Sequence, residues 1–329
     1  MSHITVRGGT FALLGAALFG LSGCSRNPAT TQAAPGTAGM AQAGSRKAPP
    51  AAAKTRFRVQ EVADSGQGMI FLRMTVPEDW KADDRVEWNY QDLYRPSSTY
   101  ARAEAPDGSA WFEAFPAEQF YWIDDPRWDN FKAGGSVGGI HHRNITIQGA
   151  MQRYVISRYR GKAANLRILG YRPVPNLPQA LGGPSAPGEG ICFRLRYAGG
   201  NQPVDEEFYA QMSPILPIPY RGPLASGNEL HRTLWLVHSL GAKGGRLESM
   251  RPLIGSIAGS AKFDNTWWKR QEEVRQKMND EFARNLQRGY DNIRAAGEMS
   301  RAISANNDAL LRNMDAKRAA SAAASRAAA

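Results

Sequence analysis

The chain has little cysteine, little histidine and no long apolar run, and each shortage removes a class of protein. Two cysteines, Cys24 and Cys192, among 329 residues cannot staple a disulfide-rich scaffold. Of the five histidines, His141 and His142 are adjacent and point to opposite sides of an extended backbone, and His231 and His238, seven apart, would do the same on one strand. Neither pair makes a zinc site without ligands from elsewhere in the fold, so no metal is expected. The mean hydropathy is −0.46. The apolar stretch from Phe11 to Leu21 is too short to cross a bilayer, and no later segment reaches the roughly 20 residues that a spanning helix needs.

Motifs of catalysis are missing as well. Gly255-Ser256-Ile257-Ala258-Gly259 places its serine one position too early for a nucleophile elbow and runs into a helix rather than following a strand. The glycine-rich pieces near Gly134 and Gly182 lack the Lys-Ser/Thr of a phosphate loop and the spacing of a dinucleotide turn, so no cofactor is expected. Cys192, between Ile191 and Phe193 in a strand-like run, reads as a buried inert thiol rather than a nucleophile. The balance leans against an enzyme, and no catalytic residue is assigned.

What is present is charge. The formal net charge is +11 and the isoelectric point about 9.8. The excess is uneven. Between Arg143 and Arg196 the basic residues include Arg153, Arg158, Arg160, Lys162 and Arg167, against the single acid Glu189; between Glu104 and Asp129 seven acids oppose only Arg127. Two readings stay open. The stretches are solvated or pair with each other within the fold, or the five basic residues form an anion-binding surface for lipid headgroups or polysaccharide, with no nucleic acid involved.

A second candidate group joins aromatics to acids: Trp122, Asp124, Asp125 and Trp128. Such a group makes a glycan-binding patch when the rings are exposed. It is ordinary core beside a solvated turn when they are not.

The N-terminus carries the most specific signal. Arg7, the short apolar run and then Leu21-Ser22-Gly23-Cys24 fit a cleaved export signal. The last four residues resemble the lipobox of bacterial lipoproteins. That resemblance implies a signal peptide over 1–23, acylation of Cys24 as the first mature residue, and attachment by lipid alone. Two or more acyl chains make such an anchor stable where one does not. With Cys24 acylated, Cys192 has no disulfide partner. Ser25 in place of aspartate implies, by the same resemblance, the outer membrane facing the periplasm or cell surface. Residues 24–54 are Ala, Pro, Gly, Ser and Thr with almost no large apolar side chain, the composition of a disordered tether. Thirty such residues reach about 30 Å.

From Thr55 the chain alternates in short runs. Gly68–Val76, Val86–Tyr90, Thr99–Ala105, Ala110–Phe115, Leu166–Tyr171, Ile191–Tyr197 and Thr233–Leu240 read as strands. Asp107-Gly108 marks a tight hairpin. Ile147–Tyr159 and Leu247–Ile257 read as helices, and the prolines from Pro214 to Pro223 impose an irregular crossover. The expected class is α+β over 55–260: an antiparallel sheet with packed helices. Val76-Pro77-Glu78-Asp79-Trp80, with this order of elements, resembles the PsbP-like α/β sandwich. The resemblance implies helices on the faces of an antiparallel sheet and an accessory or binding role.

Residues 264–318 read as a long helical arm or helical hairpin, with 319–329 a disordered tail. Val274, Met278, Phe282, Leu286, Tyr290 and Ile293 recur with a mean period near 3.6, and the stripe continues to Met314. Gly289 and Gly297 are the weak points, each costing about 1 kcal/mol relative to alanine. The stripe is not a heptad clean enough to name an oligomer. Its own domain, a second copy and a foreign protein all remain open as occupants. The reading is a non-catalytic, lipid-anchored envelope protein acting in binding or assembly. The alternatives are an envelope hydrolase of glycan or wall polymer, and a carrier for an anionic ligand.

Overall fold

The computed structural model describes residues 55–93, 95–125, 139–221 and 226–327. The stretches read as export signal and tether, with Cys24, and Trp128 lie outside the described residues. The chain divides into two units, Met1–Gln271 and Glu272–Ala329.

The first unit is built from strands. β1 (Phe57–Asp64) and β2 (Met69–Pro77) form an antiparallel hairpin. Its alternation buries Leu72, Met74 and Val76 on one side. β3 (Lys81–Trp88), β4 (Ser97–Glu104) and β5 (Ala110–Ala114) meander. Gly108, with φ of 64°, makes the turn expected of Asp107-Gly108. β6 (Glu118–Ile123) follows, with β7 (Ile140–His141) parallel to it.

The expected helix is present but not regular. Thr146 caps α1 (Ile147–Ala150) by accepting from the Gly149 amide. The chain then passes through a π-helical stretch, Met151–Ile156, into α2 (Ser157–Arg160). β8 (Arg167–Pro173), α3 (Leu177–Ala180), β9 (Glu189–Gly199), β10 (Gln202–Met212), β11 (Leu216–Arg221) and β12 (Ser226–Lys243) follow. α4 (Leu247–Ser260) and β13 (Lys262–Phe263) precede α5 (Asn265–Ala327).

The larger sheet has ten strands, with the path β3-β4-β5-β12-β10-β9-β8. β12 is its spine: it pairs with β5 and β6 along one edge and with β10 and β11 along the other. β1, β2 and β13 form a separate three-stranded sheet. Helices cover both faces of the larger sheet. On one face Leu247, Ile254 and Ile257 of α4 pack with Phe112, Leu240 and the small sheet's Leu72 and Met74. On the other, Ile147, Met151 and Val155 pack with Phe193, Leu195 and Phe208. The fold is α+β with open antiparallel sheets and a long C-terminal helix.

Three expectations are corrected. The expected crossover from Pro214 to Pro223 is in part a strand, β11, and β10 before it is a central strand outside the expected set, because Val204, Phe208, Ala210 and Met212 supply enough burial to carry Asp205, Glu206 and Glu207 inside. Pro217 and Pro219 sit in β11, which pairs only with β12 and so needs no donor on its other edge. The tail expected to be disordered from Ala319 is helical to Ala327, and α5 passes straight through Gly289 and Gly297 rather than folding back. Alanine, the best helix former, dominates that end.

Candidate functional site

The first unit holds a buried carboxylate pair, Glu113 and Glu206. Trp111 on β5, Gly241 on β12 and Glu206 on β10 lie in one row across the sheet. Gly241 is required there: a Cβ would come within 2.2 Å of the Trp111 ring. The open space lets Trp111 Nε1 donate to Glu206 Oε1 at 3.2 Å. Tyr197 donates its hydroxyl to Glu206 Oε2 at 2.8 Å. Arg160, at the end of α2, donates from Nε and Nη2 to the two Glu206 oxygens at 2.8 and 2.7 Å. Its Nη2 also reaches Glu113. Glu113 accepts from Tyr100 at 2.7 Å and from Arg102 at 2.9 Å.

Glu206 is 0 % exposed and Glu113 is 4 % exposed, so unpaired they would be costly. Burial by itself would lower the Arg160 guanidinium. The hydrogen bond and charge of Glu206, with the charge of Glu113, reverse this and hold it above its ordinary value. Burial, then the Glu206 charge, pushes the Tyr197 hydroxyl up; burial and then Glu113 do the same to Tyr100. The tyrosines stay protonated and the arginine stays charged. Each carboxylate oxygen is already bonded, so the arrangement is a saturated strut between helix and sheet rather than an acid and a base awaiting substrate. Tyr100 and Tyr159 also line a shallow cleft of about 200 Å³ with Arg85, Glu87, Ser98 and Pro116.

A second row crosses the opposite face. Cys192 on β9, Tyr209 on β10 and His238 on β12 are register partners. The Tyr209 and His238 rings stack at 5.1 Å, and the Tyr209 hydroxyl donates to Glu207 at 2.7 Å. Burial pushes the Cys192 thiol up to about 11 and the His238 imidazole down to about 4. His238 Nδ1 lies 2.8 Å from the Leu236 carbonyl, which only accepts, so this nitrogen carries the proton. Leu236 has φ of 50° and the β10–β12 register shifts beside it, a β-bulge. Leu234 and Val237, three apart, therefore share one core. The same shift corrects the expectation that His231 and His238 occupy opposite faces. They lie about 20 Å apart along the strand, and among the described residues no three metal-ligand side chains converge.

The sequence-derived candidates separate in space. Arg158 pairs with Glu118, which also takes Arg95 at 2.8 Å, and Arg160 is consumed by Glu113 and Glu206. Part of the basic stretch thus pairs with part of the acidic stretch. Arg153 lies 3.2 Å from His142, while Lys162 and Arg167 are exposed. Trp122 is 2 % exposed, inside the molecule, whereas Asp124 is exposed and its backbone amide bonds to Asn228. Asp125 is half-buried.

The second unit, taken by itself, is α5 from Glu272 onward. Phe282, Leu286, Tyr290 and Ile293 are 49, 46, 42 and 72 % exposed, and Met299, Ile303, Leu310, Leu311 and Met314 are exposed too.

Sequence reasoning missed Glu206 and Glu207, and counted Glu113 and Glu118 only as members of the acidic stretch that pairs with the basic one. The signal was the surplus of arginine between Arg143 and Arg196, which needs acids, together with the alternating apolar residues flanking Asp205-Glu206-Glu207. The chain matches no protein-family model and no curated protein.

Proposed function

We propose that this protein is a lipid-anchored component of a bacterial envelope that works by binding and assembly rather than catalysis. The observation that carries the reading is the run of large apolar side chains left exposed along α5 from Phe282 to Met314. Large exposed apolar surfaces mark sites of association. The engagement of Glu113, Glu118, Glu206 and Glu207 by arginines supports a structural rather than an acid–base use of the interior. Leu21-Ser22-Gly23-Cys24 supports attachment through acylated Cys24, and attachment raises the local concentration of whatever the helix meets.

The test uses two variants. Cys24→Ser is expected to abolish palmitate labelling and move the protein from the membrane to the soluble fraction. A chain ended after Gln271, the last residue of the first unit, is expected to keep its membrane attachment and lose its assemblies. Unlabelled wild-type protein sinks the anchor. Assemblies of unchanged size in the shortened chain sink the role of the helix.

A further inference from the structure

The apolar residues of α5 obscure a sharper pattern carried by its charges. Number the helix in sevens with Leu286 and Ile293 at position a, so that Phe282 and Ile303 fall at d. From Gln276 to Asp315 there are twelve charged residues, and every one, from Lys277 to Asp315, falls on b, c or f. Random placement would put about seven of the twelve on the other four positions, which make the seam of a coiled coil and its flanks. A helix that is merely solvated has no reason to clear charge from a 3.5-residue repeat over 40 residues.

The clearing identifies what the seam accepts. Coiled coils that choose a different chain commonly do so by charges at e and g. Here those positions are Ala, Tyr, Gly, Ser, Leu, Asn and Met, so a second copy meets no like-charge repulsion. The seam itself, read from Phe282 to Met314, runs Phe, Leu, Gly, Ile, Ala, Ser, Ile, Asn, Leu, Met. In size this is a palindrome in four of its five pairs, the exception being Gly289 with Asn307. Reversed on itself about Glu298, Leu286 meets Leu310, Ile293 meets Ile303, Ala296 meets Ser300, and Phe282 meets Met314. Asn307 meets Gly289, whose missing side chain gives the amide room. Parallel pairing in register would instead stack Gly289 on Gly289, an empty layer of the kind that costs stability.

From this, and resting on the assembly reading above, we infer that α5 pairs with α5 of a second copy of this chain as an antiparallel coiled coil over residues 282–314. The paired length, 33 residues, is about 50 Å at 1.5 Å per residue. On a helix about 10 Å across that strip, with its side-chain relief, approaches the ~800 Å² per partner of a standard interface.

Oxidative cross-linking of the full chain tests the pairing. Leu286→Cys expressed together with Leu310→Cys gives a disulfide-linked species of twice the chain mass, and neither variant expressed alone links above the unsubstituted chain. If either single variant links to itself, the pairing is parallel and the inference is overturned, since residues 286 and 310 then lie about 36 Å apart between chains. Light scattering gives the independent measurement. Ala296→Arg at the seam halves the particle mass, Ala295→Arg on the charged face leaves it unchanged, and circular dichroism confirms that both remain helical. An unsubstituted chain that is monomeric at every concentration also overturns the inference. The palmitate and fractionation results are unaffected by that outcome, so the two readings fail separately.

Discussion

Trp267 donates its indole Nε1–H to Asp64 Oδ2 at 2.7 Å, tying the first turn of the long helix to the end of the first strand. Trp88 donates to the same oxygen at 2.9 Å, and the Gln67 amide caps Oδ1 at 3.1 Å. Asp64 is 0 % exposed and Trp267 is 1 % exposed, while Trp268 beside it is 43 % exposed. The carboxylate is thus the node that holds the tryptophan-rich corner, where Phe71 and Trp267 meet edge to face at 4.6 Å. Replacing Asp64→Ala orphans two indole donors, and we predict a loss of about 2–4 kcal/mol. Asp64→Asn keeps an oxygen acceptor and costs less. Urea unfolding followed by tryptophan fluorescence measures both; equal midpoints for the two variants would refute the node.

Arg160 bridges two buried acids, and removing it is predicted to be worse than removing an acid with it. Arg160→Met leaves Glu206 without its arginine and Glu113 with Arg102 alone, and destabilises by about 3–5 kcal/mol. Adding Glu206→Gln to that variant recovers part of the loss, because the stranded charge is gone. A double-mutant cycle by denaturant unfolding checks this. Additive losses would mean that the network is not coupled.

His238 supplies a pH signature. Its folded pKa of about 4 lies below the ordinary 6.5 because the ring is buried. Between these values the unfolded chain binds more protons than the folded one. The contribution is therefore full above pH 6.5 and is lost as pH falls toward 4. At 1.36 kcal/mol per unit the loss is roughly 3 kcal/mol. His238→Gln is predicted to flatten the stability profile in this window. A slope between pH 6.5 and 4 that His238→Gln leaves unchanged would assign the effect elsewhere.

Much of the fold was legible because alternation and turn chemistry are local. The run Ala110–Phe115 after Asp107-Gly108 had to be a hairpin arm, and the helix at Leu247 showed its apolar face directly. β10 was not legible because three successive acids mimic a solvated loop; only Arg196 across the adjoining hairpin, with Arg160 and Arg251 from α2 and α4 more than forty residues away, makes Asp205, Glu206 and Glu207 tolerable inside. The bulge at Leu236 was equally hidden, since nothing in leucine announces a left-handed residue. The candidate groups suffered in the same way. Composition left Arg158 and Arg160 open between internal ion pairs and an anion-binding surface, and Trp122 between core and an exposed patch, because burial is a property of the folded whole. The clearing of charge from one side of α5 between Gln276 and Asp315, by contrast, is legible in the sequence alone.

β12 has one more consequence. It spans Ser226–Lys243 and is the common neighbour of β5, β6, β10 and β11. Until Lys243 has left the ribosome, four strands wait with an edge unsatisfied. Closure then joins residues more than a hundred positions apart, such as Ala110 with Ala242, a high-contact-order step of the kind that folds slowly. Nearly the whole body of the first unit must therefore be in place before its main sheet can zip, and until then the edges of β5, β6, β10 and β11 stand bare.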